Sequence, residues 1–215
     1  MAKNRSKIVY LCSSCGADFP KWHGQCPACN EWGTLSEFKV SNTSSSSINT
    51  EKKETHTLES IMHKEEVKRI SIGIGEVDRV LGGGVLSGSM ILLGGSPGIG
   101  KSTLALQTLS SFKQNVLYAS AEESEGQIAL RAKRLNVLSS NIHLSSENRI
   151  DEILNQVSLL KPQLLIIDSI QTIFSENLDS LPGSVSQIRE CGQKLLQLAK
   201  DEKISILVIG NVTKE

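Results

Sequence analysis

Residues 95–102 read Gly-Ser-Pro-Gly-Ile-Gly-Lys-Ser, the spacing G-x-x-x-x-G-K-S. No other stretch restricts the possible folds as much. This spacing is that of the Walker A phosphate loop, which needs a strand before it and a helix after it. Both flanks comply: Met90-Ile91-Leu92-Leu93 is an apolar run suited to a strand, and Thr103-Leu104-Ala105-Leu106 continues as a helix. Glycines let the backbone curl until successive N–H groups point at one anion. The positive end of the following helix adds to the same field. The pattern therefore assigns the phosphates of ATP to Gly95, Ser96, Pro97, Gly98, Ile99, Gly100, Lys101, Ser102 and Thr103. Lys101 is expected to reach the β- and γ-phosphates, and the Ser102 hydroxyl to hold Mg²⁺.

The rest of the chain from about residue 67 reads as the sheet this loop requires. Val116-Leu117-Tyr118-Ala119, Ile142-His143-Leu144, Leu164-Leu165-Ile166-Ile167 and Ile204 to Ile209 are strands. Between them lie amphipathic runs: 102–112, one marked by Ile128, Ala132 and Leu135, one from Ile150 to Leu160 stopped by Pro162, and one carrying Val185, Ile188, Leu195 and Ala199. An earlier helix carries Ile74, Val77, Val80 and Leu81 and ends at Gly82-Gly83-Gly84. Strands alternating with helices predict an α/β fold around a parallel sheet with right-handed crossovers. With 39% hydrophobic but only 4% aromatic residues, the composition suits aliphatic strands better than a sandwich. Cys191 falls on an apolar helix face and reads as core packing.

Three acids stand where such sheets bind ligands. Asp168 ends its strand and has the form of a Walker B acid, holding Mg²⁺ directly or through water. Glu122 and Glu123 lie just past the second strand, where a carboxylate can orient a water for in-line attack on the γ-phosphate. Acids in the first turn of a helix are favoured by its dipole in any case. A base acting on water favours hydrolysis over phosphate transfer to a metabolite. Asn211, Thr213 and Lys214 close the last strand, where a polar group could sense the γ-phosphate.

The N-terminal part is of another kind. Cys12-Ser13-Ser14-Cys15 and Cys26-Pro27-Ala28-Cys29 form two C-x-x-C knuckles, the spacing of a four-thiolate zinc ribbon. A closed site of four thiolates leaves no position for substrate, so the metal is expected to staple the fold. His23 is expected at the surface, and Trp22 and Trp32 against the ribbon, with base stacking as the alternative. The expected organisation is a zinc ribbon over 1–38, a flexible linker over 39–66 containing Ser44-Ser45-Ser46-Ser47, and the ATPase core over 67–215. Leu58, Ile61 and Met62 could start a short helix in that linker. Lys plus Arg and Asp plus Glu both number 23, so any nucleic-acid surface has to be a local patch. No apolar run reaches the roughly 18 residues of a membrane span, and no secretory signal is read at the N-terminus, so a cytoplasmic location is expected.

Several stretches resemble the RadA (Sms) family of bacterial DNA repair proteins. They are Phe19-Pro20-Lys21-Trp22 and Gly24-Gln25-Cys26-Pro27-Ala28-Cys29 in the ribbon, then 73–84, 94–103, Glu122-Glu123-Ser124, 167–172, 182–191 and 212–215. The resemblance implies a RecA-like, DNA-dependent ATPase that forms hexameric rings on single-stranded or branched DNA. It implies branch migration of recombination intermediates beside the RecA recombinase. By similarity Lys101 and Ser102 serve phosphate and Mg²⁺, Asp168 the metal, and Glu122 (or Glu123) the water. The loop Ser175–Gly183 would face the ring channel, although it carries Glu176 and Asp179 and no base. This chain has Asn211 where the family usually has His. Family members also continue with further core strands, a Lys-Asn-Arg-Phe-Gly motif and a Lon-protease-like domain, so the core here is expected to be incomplete at its C-terminus. The alternative reading is a nucleotide-gated regulatory or interaction protein with weak hydrolysis.

Overall fold

Short alternating strands and amphipathic helices organise the described residues into two small sheets and one large one. The computed structural model describes residues 7–40, Thr55, Thr57, Glu59, Ser60 and 69–212. The serine-rich run, the helix start at Leu58, Ile61 and Met62, and the terminal Thr213 and Lys214 lie outside the described residues.

Strand β1 (Lys7–Cys12) pairs antiparallel with β2 (Asp18–Phe19) and with β3 (Leu35–Val40). Cys12, Cys26 and Leu35 are buried between them, with Tyr10, Phe19, Cys15 and Cys29 packed around. The tryptophans depart from expectation: Trp22 is 60% and Trp32 74% exposed. Among the described residues the small ribbon interior is taken by Cys12, Cys26 and Leu35 with Tyr10 and Phe19 packed around them, and the two indoles lie outside it. His23 is exposed as expected and meets Phe19 edge-on, ring centroids 5.8 Å apart.

Next, β4 (Arg69–Ile70) and β5 (Val85–Leu86) form a two-stranded antiparallel sheet around α1 (Gly75–Val80). This pair was not foreseen, because two-residue strands carry no periodicity. Gly84 makes the turn possible. Its φ is +125°, and a Cβ there would lie 2.5 Å from the Ile70 carbonyl oxygen.

The large sheet follows from β6 (Met90–Gly95), α2 (Lys101–Gln107), β7 (Val116–Ser120), α3 (Glu125–Arg134), β8 (Ile142–Ser145), α4 (Ile150–Leu160), β9 (Leu164–Asp168), α5 (Val185–Glu202) and β10 (Ser205–Asn211). Its five strands run parallel in the order β6-β10-β9-β7-β8. All five residues of β7 and of β9 are buried, as expected for a sheet covered on both faces. Period-two alternation divides them. Leu117, Ala119, Leu165 and Ile167 join Ile153, Val157 and Leu195 on the α4 and α5 side. Val116, Tyr118, Leu164 and Ile166 join Ala105, Leu106 and Ile128 on the α2 and α3 side. Cys191 is fully buried in the first layer, where desolvation pushes its thiol up to about 12.

Local signals set the helix ends. Ser124 accepts from the Gln127 amide while the Gln127 side chain accepts from the Ser124 amide, a capping box at the start of α3. Lys161 takes a left-handed φ of 48° before Pro162 and closes α4. At the start of α4, Glu147 accepts from the Arg149 guanidinium and from the amides of Arg149 and Asn148, which hold its carboxyl down at about 2. Helix α2 is shorter than the expected 102–112: the amides of Leu109, Ser110 and Phe112 reach back three residues instead of four. The loop after β9 is tied to α5 by the buried Gln187. Its amide nitrogen donates to the carbonyls of Ser175, Leu178 and Ser180, and its oxygen accepts from the Ser175 amide. The ribbon meets α5 where Arg189 Nη1 donates to the Gly16 carbonyl at 2.6 Å. Among the described residues no helix is long and apolar enough to cross a membrane.

Candidate functional site

Strand β6 delivers the glycine-rich loop to the C-terminal rim of the sheet, and α2 begins at Lys101 with Gly100 as its cap. Gly98 and Gly100 have φ of +77° and +102°, and a Cβ on either would meet no atom within 4 Å. The loop is therefore a concave backbone surface with free space above it. Lys101 is only 8% exposed, and its ammonium donates to the carbonyls of Gly95 and Ser96, each at 2.9 Å. Ile99 points outward, 72% exposed.

A cavity of about 330 Å³ opens on this loop. Pro97, Gly98, Gly100, Lys101, Ser102 and Thr103 form one wall. The opposite wall brings Glu122 and Glu123 from the end of β7 and Asp168 from the end of β9, with Asn211 at the end of β10. All three candidate acids thus converge on the cavity that the phosphate loop lines. Gly95, Ser96 and Ile99 belong to the loop backbone without lining the cavity themselves.

Each acid has its own partner. Asp168, 6% exposed, accepts through Oδ2 from the Tyr118 hydroxyl at 2.7 Å. Glu122 accepts through Oε1 from the Ser169 hydroxyl at 2.7 Å. Glu123 is paired with the Arg131 guanidinium of α3. Tyr118, Ser169 and Arg131 were not singled out from the sequence. A signal for Arg131 was available: it falls seven residues after the cap Ser124, so two helical turns return it to the side from which Glu123 enters. For Tyr118 the only signal was its parity with Ile166 on the neighbouring strand, which needs the strand pairing to be known. Asn211 is anchored by the Gln171 side chain, which donates to its carbonyl at 3.0 Å and accepts from its amide at 3.3 Å.

The second candidate site is in the ribbon. The Sγ atoms of Cys12, Cys15, Cys26 and Cys29 all lie within 4.8 Å of one another. Cys12 and Cys29 are 3.7 Å apart, as are Cys15 and Cys26. Metal–sulfur bonds of about 2.3 Å in a tetrahedron imply edges of about 3.8 Å, so the four thiols fit a tetrahedral metal such as zinc. Burial would raise the Cys12 thiol. The Thr34 hydroxyl and the amides of Cys15 and Ser14 outweigh it and bring the thiol down to about 6. His23 is not part of the cluster.

Two family models match stretches of this chain. Residues 10–37 match the family described as the rubredoxin metal binding domain, and residues 70–145 match the ATPase family described as KaiC. The chain is 48% identical over 213 residues to the DNA repair protein RadA of Chlamydia pneumoniae, covering 98% of this chain and 47% of that protein. It is 43% identical over 225 residues to the DNA repair protein RadA of Bacillus subtilis (strain 168), covering 100% and 48%. Nearly the whole of this chain is thus similar to RadA proteins. It spans about half the length of the curated relatives it matches. Among solved structures, a KaiC-like protein from Pyrococcus horikoshii OT3 superposes with a TM-score of 0.53 at 21% identity, over 68% of this chain and 73% of that one. That likeness concerns the fold: the α/β parallel sheet expected from the strand–helix alternation is observed, and with it the RecA-like architecture that the resemblance implied.

Proposed function

We propose that this protein binds ATP with Mg²⁺ over residues 95–103 and hydrolyses it in the cytoplasm as a DNA-dependent ATPase of recombinational repair. The observation that carries the reading is the convergence of Lys101, Ser102, Glu122, Glu123 and Asp168 on one cavity. Lys101 and the loop amides take the β- and γ-phosphates, and Ser102 and Asp168 hold the metal. Mg²⁺ supplies charge neutralisation on the phosphate oxygens when bound. Glu123 is committed to Arg131, so Glu122, held by a single hydroxyl, is the carboxylate that orients the attacking water. Zinc in the four-thiol site of the 1–38 ribbon holds that unit together, joined through a 39–66 linker to the 67–215 core. The names of the relatives support repair as the setting. In that setting the partners are single-stranded or branched DNA, the RecA recombinase, and further copies of the chain in a hexameric ring, with branch migration as the work done.

The test is ATP hydrolysis with and without single-stranded DNA, on the wild type and on Lys101→Ala. The reading expects stimulation by DNA and its loss in the variant. Nucleotide binding without DNA stimulation would replace it by a nucleotide-gated regulatory protein. Phosphate transfer to a metabolite would replace it by a small-molecule kinase.

A further inference from the structure

Tyr118 is among the largest fully buried side chains, 1% exposed, and sits in the apolar layer with Leu106, Ile128 and Ile166. A phenol in such surroundings is costly unless its hydroxyl is satisfied. A phenylalanine would fill the same space without that demand. The hydroxyl has one partner among the described residues, Oδ2 of Asp168 on the adjacent strand, at 2.7 Å. The phenol O–H is the donor in this bond, because a carboxylate oxygen accepts. The bond is directed across the sheet. Tyr118 is in register with Ile166, and Ser120 with Asp168, so the ring reaches along the strand to the carboxylate at its end.

A carboxylate is soft about its last torsion, where the energy wells are broad and two-fold. A donor fixed from below removes that freedom. It engages Oδ2 and leaves Oδ1, which has no hydrogen-bond partner among the described residues, to the cavity that Asp168 lines. We propose that Tyr118 is a positioning residue for the magnesium-binding carboxylate: its hydroxyl holds Asp168 so that one oxygen is presented to the metal. This rests on the reading of Asp168 as a magnesium ligand. Partners that orient metal ligands typically contribute about 10- to 100-fold in metal affinity.

The experiment measures binding of a fluorescent ADP to the full chain, in EDTA and across a magnesium titration, for the wild type and Tyr118→Phe. The expected result is unchanged affinity in EDTA, within about twofold, with the magnesium midpoint raised about tenfold. An unchanged midpoint overturns the proposal. A parallel loss with and without magnesium also overturns it, because that is the behaviour of a scaffold residue. If the wild type itself shows no magnesium-dependent binding, the functional reading fails and this proposal fails with it. Should Tyr118→Phe fail to fold, fluorotyrosine incorporation replaces it. The chain has two tyrosines, and Tyr10 in the ribbon serves as the reference. The Tyr118 fluorine resonance is expected to move with magnesium and ADP together and not with ADP in EDTA. The same response under both conditions overturns the proposal.

Discussion

Among the described residues the ribbon buries three side chains, Cys12, Cys26 and Leu35, and two of those are candidate metal ligands. The five-stranded sheet buries two aliphatic layers, one on each face, with β7 and β9 inaccessible along their whole length. The same chain therefore holds together in two ways. Some thirty residues have little apolar area to offset their ordering entropy, and a metal on the four thiols would supply the missing stability. The core has that area and needs no ion to fold, so its polar groups are free to face a ligand. The thiols of the ribbon are spent on structure, whereas the acids of the core stand on a finished scaffold.

The sharpest way to break this contrast is Cys26→Ser. Structural metal sites of this type supply about 10–16 kcal/mol, so the ribbon is expected to lose metal and order. The core should keep its nucleotide affinity. Both tryptophans of the chain, Trp22 and Trp32, lie in the ribbon, so tryptophan fluorescence reports on it alone. Loss of metal and of the ribbon fluorescence with unchanged ADP binding is expected; loss of ADP binding would mean that the two regions fold as one. The converse substitution, Leu165→Ala, empties a fully buried position of the core. It should cost about 2–5 kcal/mol by denaturant unfolding followed by circular dichroism, with metal content unchanged. A smaller effect is expected at the start of α4. Glu147 lies well below its ordinary value, so its contribution is present above about 4.5, the unfolded value, and is lost as pH falls toward about 2. Because Arg149 is 42% exposed, solvent screening keeps the contribution of the pair small. Glu147→Gln should be less stable than the wild type at pH 7, with the gap narrowing through acid; a gap that persists unchanged at low pH would assign the effect to something other than charge.

The phosphate loop, the four core strands after it and the two cysteine knuckles were legible because each carries a pattern: fixed spacing, an aliphatic run or paired thiols. Asp168 and the Glu122-Glu123 pair were placed at the rim by the rule that parallel strands end there. What could not be read was lateral. Tyr118 meets Asp168 fifty residues away, and Ser169 meets Glu122 forty-seven residues away, only because β7 and β9 are neighbours. That adjacency follows from strand order, which no local signal encodes. The tryptophans were misplaced for a related reason: apolar character predicts burial only where there is an interior large enough to receive the ring. Helix α2 ended early because 108–112 keeps its apolar spacing while its backbone tightens, and spacing alone does not distinguish the two.

The central claim is that the cavity over residues 95–103 grips a magnesium–nucleotide complex. Equilibrium titration of ATP and ADP into the purified, zinc-loaded chain with Mg²⁺ tests it most directly. Saturable binding to the wild type is predicted, weakened by about tenfold or more in Lys101→Ala, since one hydrogen bond to a charged group is worth about 1.5–3 kcal/mol. A folded wild-type protein with no affinity for either nucleotide, or a Lys101→Ala variant that binds both as tightly, would contradict it.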